Sequence, residues 1–220
     1  MTCLEMICAF VYRWQTLIAG LLALLAALAA LRPVHKQLAL QRAQSSVMVR
    51  ETIGHMIQQL DAHRARVDEI MSKRLTSIQT SIHHIQTHGP ASFDMDMWAE
   101  EQNREFGTAD ADLKTLFATA QDVEAIEREK AALLASVDSL TDSLWDIWKP
   151  EDESRFPENY EWTDDERAAA HTRSREAEKE IEPKADAVST AVWKLRDAYA
   201  AQRAGLVKRL RVIDDGLLTH

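Results

Sequence analysis

His84 and His88 are the residues whose type and spacing come closest to chemistry in this chain. Four residues apart on a helix, two imidazoles share one face, the separation at which a helix can hold a divalent metal. His83 and the carboxylates of Asp94 and Asp96 lie near enough in sequence to join them. Ile85, not Glu, follows His84, so the HExxH pattern of a metal-dependent hydrolase is missing. A His close to a helix C-terminus is in any case favoured by the helix dipole. Glycine-rich phosphate loops, nucleophile elbows and CxxC pairs are absent as well. The expectation is a protein that is not an enzyme, with no catalytic, cofactor-binding or metal-binding residue and no cofactor.

Two further groups of residues could bind rather than react. Trp145, Trp148, Phe156, Tyr160 and Trp162 cluster around one acidic stretch. Trp145 and Trp148 are expected to close the end of a helical bundle, and the alternative is an aromatic docking patch. Lys208, Arg209 and Arg211 form a local basic cluster that reads as the solvated last turn of a helix. Nucleic acid is not expected as a partner, because the net charge is −9 and residues 89–163 carry 6 basic against 19 acidic side chains. Phosphate contacts require an uninterrupted basic face.

The element that must position everything else is an apolar run, Leu17 to Leu31, with seven Leu, one Ile, six Ala, one Gly and no polar side chain. Eighteen residues separate Arg13 from Arg32, which as a helix span about 27 Å, close to the ~30 Å of bilayer hydrocarbon. Its eight large aliphatics favour insertion by roughly 2 to 4 kcal/mol. Tyr12 and Trp14 fall at one edge, where amphipathic rings prefer the headgroups. A cleaved secretory signal ending near Ala27-Leu28-Ala29 is the competing reading, but the run continues to Arg32, as a stop would. A core helix of a soluble protein is the other, and it needs an apolar shell that striped helices do not provide. The expected lipid-embedded segment is therefore 14–32, after a tail at 1–13. Arg32, Lys36, Arg42 and Arg50 precede any carboxylate on the C-terminal side, which places the larger part in the cytoplasm. Cys3 and Cys8 read as free thiols, or as an intersubunit disulfide if the tail faces an oxidising compartment.

The remainder, 33–220, reads as all-α. Only 6 Gly and 5 Pro occur in 220 residues, and 28% of residues are charged. Apolar spacing from Val49 to Ile85 predicts one helix over about 34–88, stopped by His88-Gly89-Pro90. A connector over 91–107, with room for a short helix around Trp98, leads to a second helix over about 109–148, ended by Lys149-Pro150. Thr163-Asp164-Asp165-Glu166 matches a capping box and opens a third helix over about 164–215, either kinked or divided at Pro183. Its series Ile181, Ala185, Val188, Val192, Leu195, Tyr199, Gln202 and Leu206 is the most regular in the chain. Three striped helices with short reversals predict an antiparallel three-helix bundle or coiled coil after a single transmembrane helix, and a dimerising hairpin is the competing arrangement. The charge balances, +3 over 34–88, −13 over 89–163 and 0 over 164–220, suit a basic first helix beside an acidic second one.

Tyr12-Arg13-Trp14-Gln15-Thr16-Leu17-Ile18-Ala19-Gly20, the Leu-Ala repeats, Arg32, Gln37 and Gln41 together resemble the N-terminal anchor of uncharacterised single-pass membrane proteins of alphaproteobacteria. The resemblance covers about the first 45 residues; it implies a bacterial inner membrane and supplies no site residues. The expected function is a membrane-anchored helical scaffold or protein-interaction module. Its partners would be the bilayer, another protein and, as a further candidate, a second copy of the chain. The alternatives are a sensory helical module, and a periplasm-facing cell-envelope or phage lysis accessory protein.

Overall fold

The structure, a computed structural model, describes residues 3–89, 94–119, 122–149 and 162–218. Four α-helices follow in order, α1 (Cys3–His88), α2 (Met95–Ala118), α3 (Glu124–Trp148) and α4 (Asp164–Leu218), with no strand among the described residues. The chain divides into two compact units, Met1–His55 with Arg209–His220, and Met56–Lys208.

Local sequence explains the helix ends. At the end of α1, Gly89 takes φ +82° and its N–H donates to the Ile85 carbonyl at 2.9 Å, a left-handed cap that costs other residues more. The capping box at α4 is reciprocal: Thr163 N–H donates to Glu166 Oε2 at 2.9 Å, and Glu166 N–H donates to Thr163 Oγ1 at 3.3 Å. Asp94 caps α2 by accepting from the Met97 N–H. Pro183 lies inside α4 without dividing it.

The second helix expected over 109–148 is two helices in the structure. α2 begins at Met95, taking in the stretch read as a connector, and the chain turns between Ala118 and Glu124. Thr119 closes α2, its N–H and hydroxyl both donating to the Leu116 carbonyl. Residues 119–123 include neither Gly nor Pro, and on the far side of the turn Asp122 is held by Lys130 and by the Glu127 carboxylate.

Within Met56–Lys208, side-chain contacts fix an up-down-up-down order. α1 and α4 run antiparallel through Asp61 with Arg203, Asp68 with Arg196, and Gln86 with Glu182. α2 and α3 do so through Asn103 with the Thr141 carbonyl and Lys114 with Asp138. Arg74 of α1 donates to the Glu105 carbonyl of α2, and Lys184 of α4 to Ser143 of α3. Each helix thus buries one stripe against its neighbours. The core is built by Val67, Met71 and Ile78 of α1, Phe106 and Leu113 of α2, Leu133, Val137, Leu140 and Leu144 of α3, and Val188, Val192, Leu195 and Tyr199 of α4.

The other unit is differently made. Arg50 pairs with Asp214 at 2.8 Å and Ile53 is buried. From Leu17 to Leu28, every leucine of α1 is more than half exposed. The helix contains a window with mean hydropathy 2.2, none of it buried, so α1 is long and apolar enough to cross a membrane.

Candidate functional site

Lys130 is the one buried lysine among the described residues, 2% exposed. It occupies a core position of α3, on the stripe Ile126, Lys130, Leu133, Val137. An unpaired ammonium there would cost several kcal/mol. Two carboxylates offset that cost: Asp122 Oδ2 at 2.7 Å, itself largely buried, and Glu127 Oε1 at 2.9 Å. The Phe117 ring lies beneath the ammonium, 5.3 Å to its centroid, adding a cation–π contact. Glu127 Oε1 also accepts from the Asp122 N–H at 3.0 Å, so one carboxylate binds both the lysine and the turn backbone. The bond from Lys130, with the backbone bond from Asp122, holds the Glu127 carboxyl below its usual range.

Tyr199 of α4 lies close to the same carboxylates. Its hydroxyl is buried and has no hydrogen-bond partner among the described residues. Burial, and then the negative charges of Asp122 and Glu127, push its pKa well above the ordinary tyrosine range. The group therefore stays neutral at any physiological pH.

Beside this cluster is a cavity of about 230 Å³. Met56, Leu60 and Val123 give it an apolar wall, and Gln59, His63, Asp122 and Gln202 supply polar groups. Such a lining can hold a small polar molecule. Lys130 itself is engaged by the two carboxylates.

The positions singled out in the sequence fare differently. The His84 and His88 rings stack, centroids 4.3 Å apart and planes 24° from parallel, so their in-plane lone pairs run side by side instead of converging on one ion. Asp94 is used as the cap of α2. Among the described residues no group of three or more His, Cys, Asp or Glu could hold a metal. Trp145 and Trp148, both half-buried, meet edge to face at 5.2 Å, and Lys149 Nζ lies 4.5 Å from the Trp148 centroid. Phe156 and Tyr160 lie outside the described residues, as do the side chains of Cys3 and Cys8. Lys208, Arg209 and Arg211 are exposed.

The Lys130 cluster escapes a sequence reading because a lysine breaks an apolar stripe and looks like a surface position. The available signal is that Ile126, Leu133 and Val137 keep their spacing across it. Compared with known proteins, the chain matches no protein family, no curated protein and no solved structure.

Proposed function

We propose that the protein is a membrane-anchored helical interaction module, held in a bacterial inner membrane by residues 14–32 and presenting its packed helices to a protein partner in the cytoplasm. The observation that carries the reading is the contrast along α1, a single helix whose leucines are exposed from Leu17 to Leu28 and whose apolar residues are buried from Leu60 to Ile78. An exposed leucine-rich surface of that length is stable in lipid and unfavourable in water. The likeness of the first 45 residues to alphaproteobacterial anchors supports the choice of membrane. The excess of Arg and Lys after the run supports the orientation. The acidic region 89–163 speaks against nucleic acid as the partner.

The test is extraction of membranes with alkaline carbonate, together with C-terminal reporters. The proposal expects the full-length chain in the pellet, an inactive phosphatase fusion and a bright cytoplasmic fluorescent fusion. A soluble chain shortened by about 29 residues would establish a cleaved signal. An active phosphatase would move the helical unit to the periplasm and favour the cell-envelope reading. The cavity beside Asp122 and His63 supports a second reading, in which a small polar ligand alters helix packing and the protein acts as a sensor.

A further inference from the structure

The cavity of about 230 Å³ beside Asp122 is lined by polar groups whose hydrogen-bonding directions narrow the class of molecule it suits. At ~30 Å³ per molecule in the liquid it has the room of roughly seven waters, enough for a small organic molecule. Its walls come from α1, the C-cap of α2, the turn that follows and α4, all inside the compact unit Met56–Lys208.

Two of the lining groups accept and do not donate. The Thr119 hydroxyl gives its proton to the Leu116 carbonyl at 2.6 Å, so toward the cavity it has only lone pairs. The Asp122 carboxylate is acceptor-only as well. Lys130 meets it through Oδ2, at 2.7 Å, and Oδ1 accepts no hydrogen bond among the described residues. Gln59, His63 and Gln202 each carry a donor and an acceptor, and their side chains likewise hydrogen-bond to no described residue.

The charge has the same sense. Asp122 and Glu127 bring two negative charges and Lys130 one positive. The described lining residues include neither Arg nor Lys, and Arg203, beside Gln202, is paired with Asp61. In the adjoining core the Tyr199 hydroxyl is buried without a partner among the described residues, under the negative charge of the same two carboxylates. A negative, acceptor-rich wall favours a ligand that is positively charged and carries N–H donors. A metal ion suits it less, because among the described residues no group of three or more His, Cys, Asp or Glu could hold one. Met56, Leu60 and Val123 form an apolar wall, which a bare ion leaves uncovered and an alkyl chain covers.

We infer that this cavity binds a small protonated aliphatic amine, its ammonium held by Asp122, Thr119 and the two glutamine carbonyls and its alkyl chain lying on Met56, Leu60 and Val123. Such a site rests on the small-ligand reading of the cavity given above and names the class of that ligand. An amine touching α1, the α2–α3 turn and α4 at once favours the packing in which those three segments surround it.

The probe is n-butylammonium chloride, titrated calorimetrically into the detergent-solubilised full-length chain and corrected for titration into detergent alone. Tetramethylammonium, n-butanol and butyrate serve as matched molecules that lack, in turn, the N–H donors, the charge and its sign. Saturable binding of butylammonium is expected, about ten-fold tighter than that of any of the three. Gln59→Leu with Gln202→Leu removes two acceptors, leaves the Lys130 ion pairs intact and should weaken binding about ten-fold. Asp122→Asn should abolish binding, read on protein whose helical circular dichroism matches the wild type. If that variant does not fold, the double glutamine variant decides alone. No saturable heat with butylammonium, equal binding of tetramethylammonium or butanol, or full affinity in the double glutamine variant would overturn the amine site. Preference for butanol or butyrate overturns the amine and leaves a small polar ligand standing. Amine binding that leaves the near-ultraviolet circular dichroism of Trp and Tyr unchanged supports the site and refutes the sensor reading alone.

Discussion

Two stretches of α1 share the apolar spacing of an amphipathic helix and meet opposite fates. Leu38 and Met48 are 43% and 67% exposed, while Met71 and Ile78 are fully buried. Nothing in their own side chains makes the difference. Residues 60–78 are covered within the compact unit by stripes from α2 and α4, whose contacts with α1 include Glu105, Arg196 and Arg203. Residues 34–52 meet too few such groups to bury the same kind of surface. An apolar stripe therefore marks a surface that can be buried, and the remainder of the chain decides whether it is covered from within.

The most severe way to break this contrast is to remove the internal partner. Val192 and Leu195 are buried on the core face of α4, and Val192→Asp with Leu195→Asp would place two unpaired carboxylates there. Each costs several kcal/mol, comparable together with the ~5 to 15 kcal/mol that stabilises a whole domain. Circular dichroism of the detergent-solubilised double variant should show no cooperative thermal transition. A retained transition would mean that α4 does not pack through this face.

A smaller loss is expected from Lys130→Ala, which leaves Asp122 and Glu127 facing each other next to Tyr199. Breaking a buried pair costs about 3 to 5 kcal/mol, and with Glu127 half exposed the expected loss is about 2 to 4 kcal/mol in denaturant unfolding. The pH dependence should change with it. The Glu127 carboxyl is lowered in the folded protein, so its contribution is present above the unfolded carboxylate pKa of about 4.3 and disappears as pH falls through the folded value. The wild type should lose part of its advantage over Lys130→Ala below about pH 4. Tyr199 acts oppositely: its raised pKa means that its contribution is present below about pH 10 and is lost as pH rises beyond it.

The smallest effect belongs to the edge between α1 and α4, where the side chain of Arg203 is half exposed and that of Arg196 is 19% exposed. Arg196 and Arg203 lie off the core stripe of α4, a position that by itself predicts indifference to substitution, yet they pair with Asp68 and Asp61. Arg196 also lies 4.8 Å from the ring centroid of the exposed Trp193. Replacing Arg203 by Gln should cost about 0 to 1 kcal/mol, less at high salt, and Arg196→Gln should cost more and respond less to salt because its pair is part-buried. A loss above about 2 kcal/mol would show that these pairs are more desolvated than their exposure implies.

How far the structure was legible in the sequence depended on whether the signal was local. Gly89 and the Thr163/Glu166 box end and begin helices through contacts made within four residues, and both are readable from residue type. The heptad series of α4 was likewise legible, because Ile181 to Leu206 bury the spacing they advertise. The turn between α2 and α3 was not. It lacks Gly and Pro, and Asp122, Glu127 and Lys130 stabilise it through ion pairs that residue type alone does not distinguish from solvated charges. A short helix around Trp98 was legible, but not that it continues as α2 from Met95 to Ala118 and buries Phe106.

As proposed, α1 carries one apolar stretch for a bilayer, and its apolar residues from Leu60 to Ile78 lie in the core of its own chain. Single cysteines along α1, in a background with Cys3→Ser and Cys8→Ser, can be probed in intact membranes with a water-soluble maleimide. Leu21, Leu24 and Leu28 positions should stay unlabelled in buffer and in urea, and react only after detergent. Val67, Met71 and Ile78 positions should stay unlabelled in buffer and react in urea, while Lys36 and Ala43 react throughout. Labelling of Leu21, Leu24 and Leu28 in buffer at the rate of Lys36 would contradict the account.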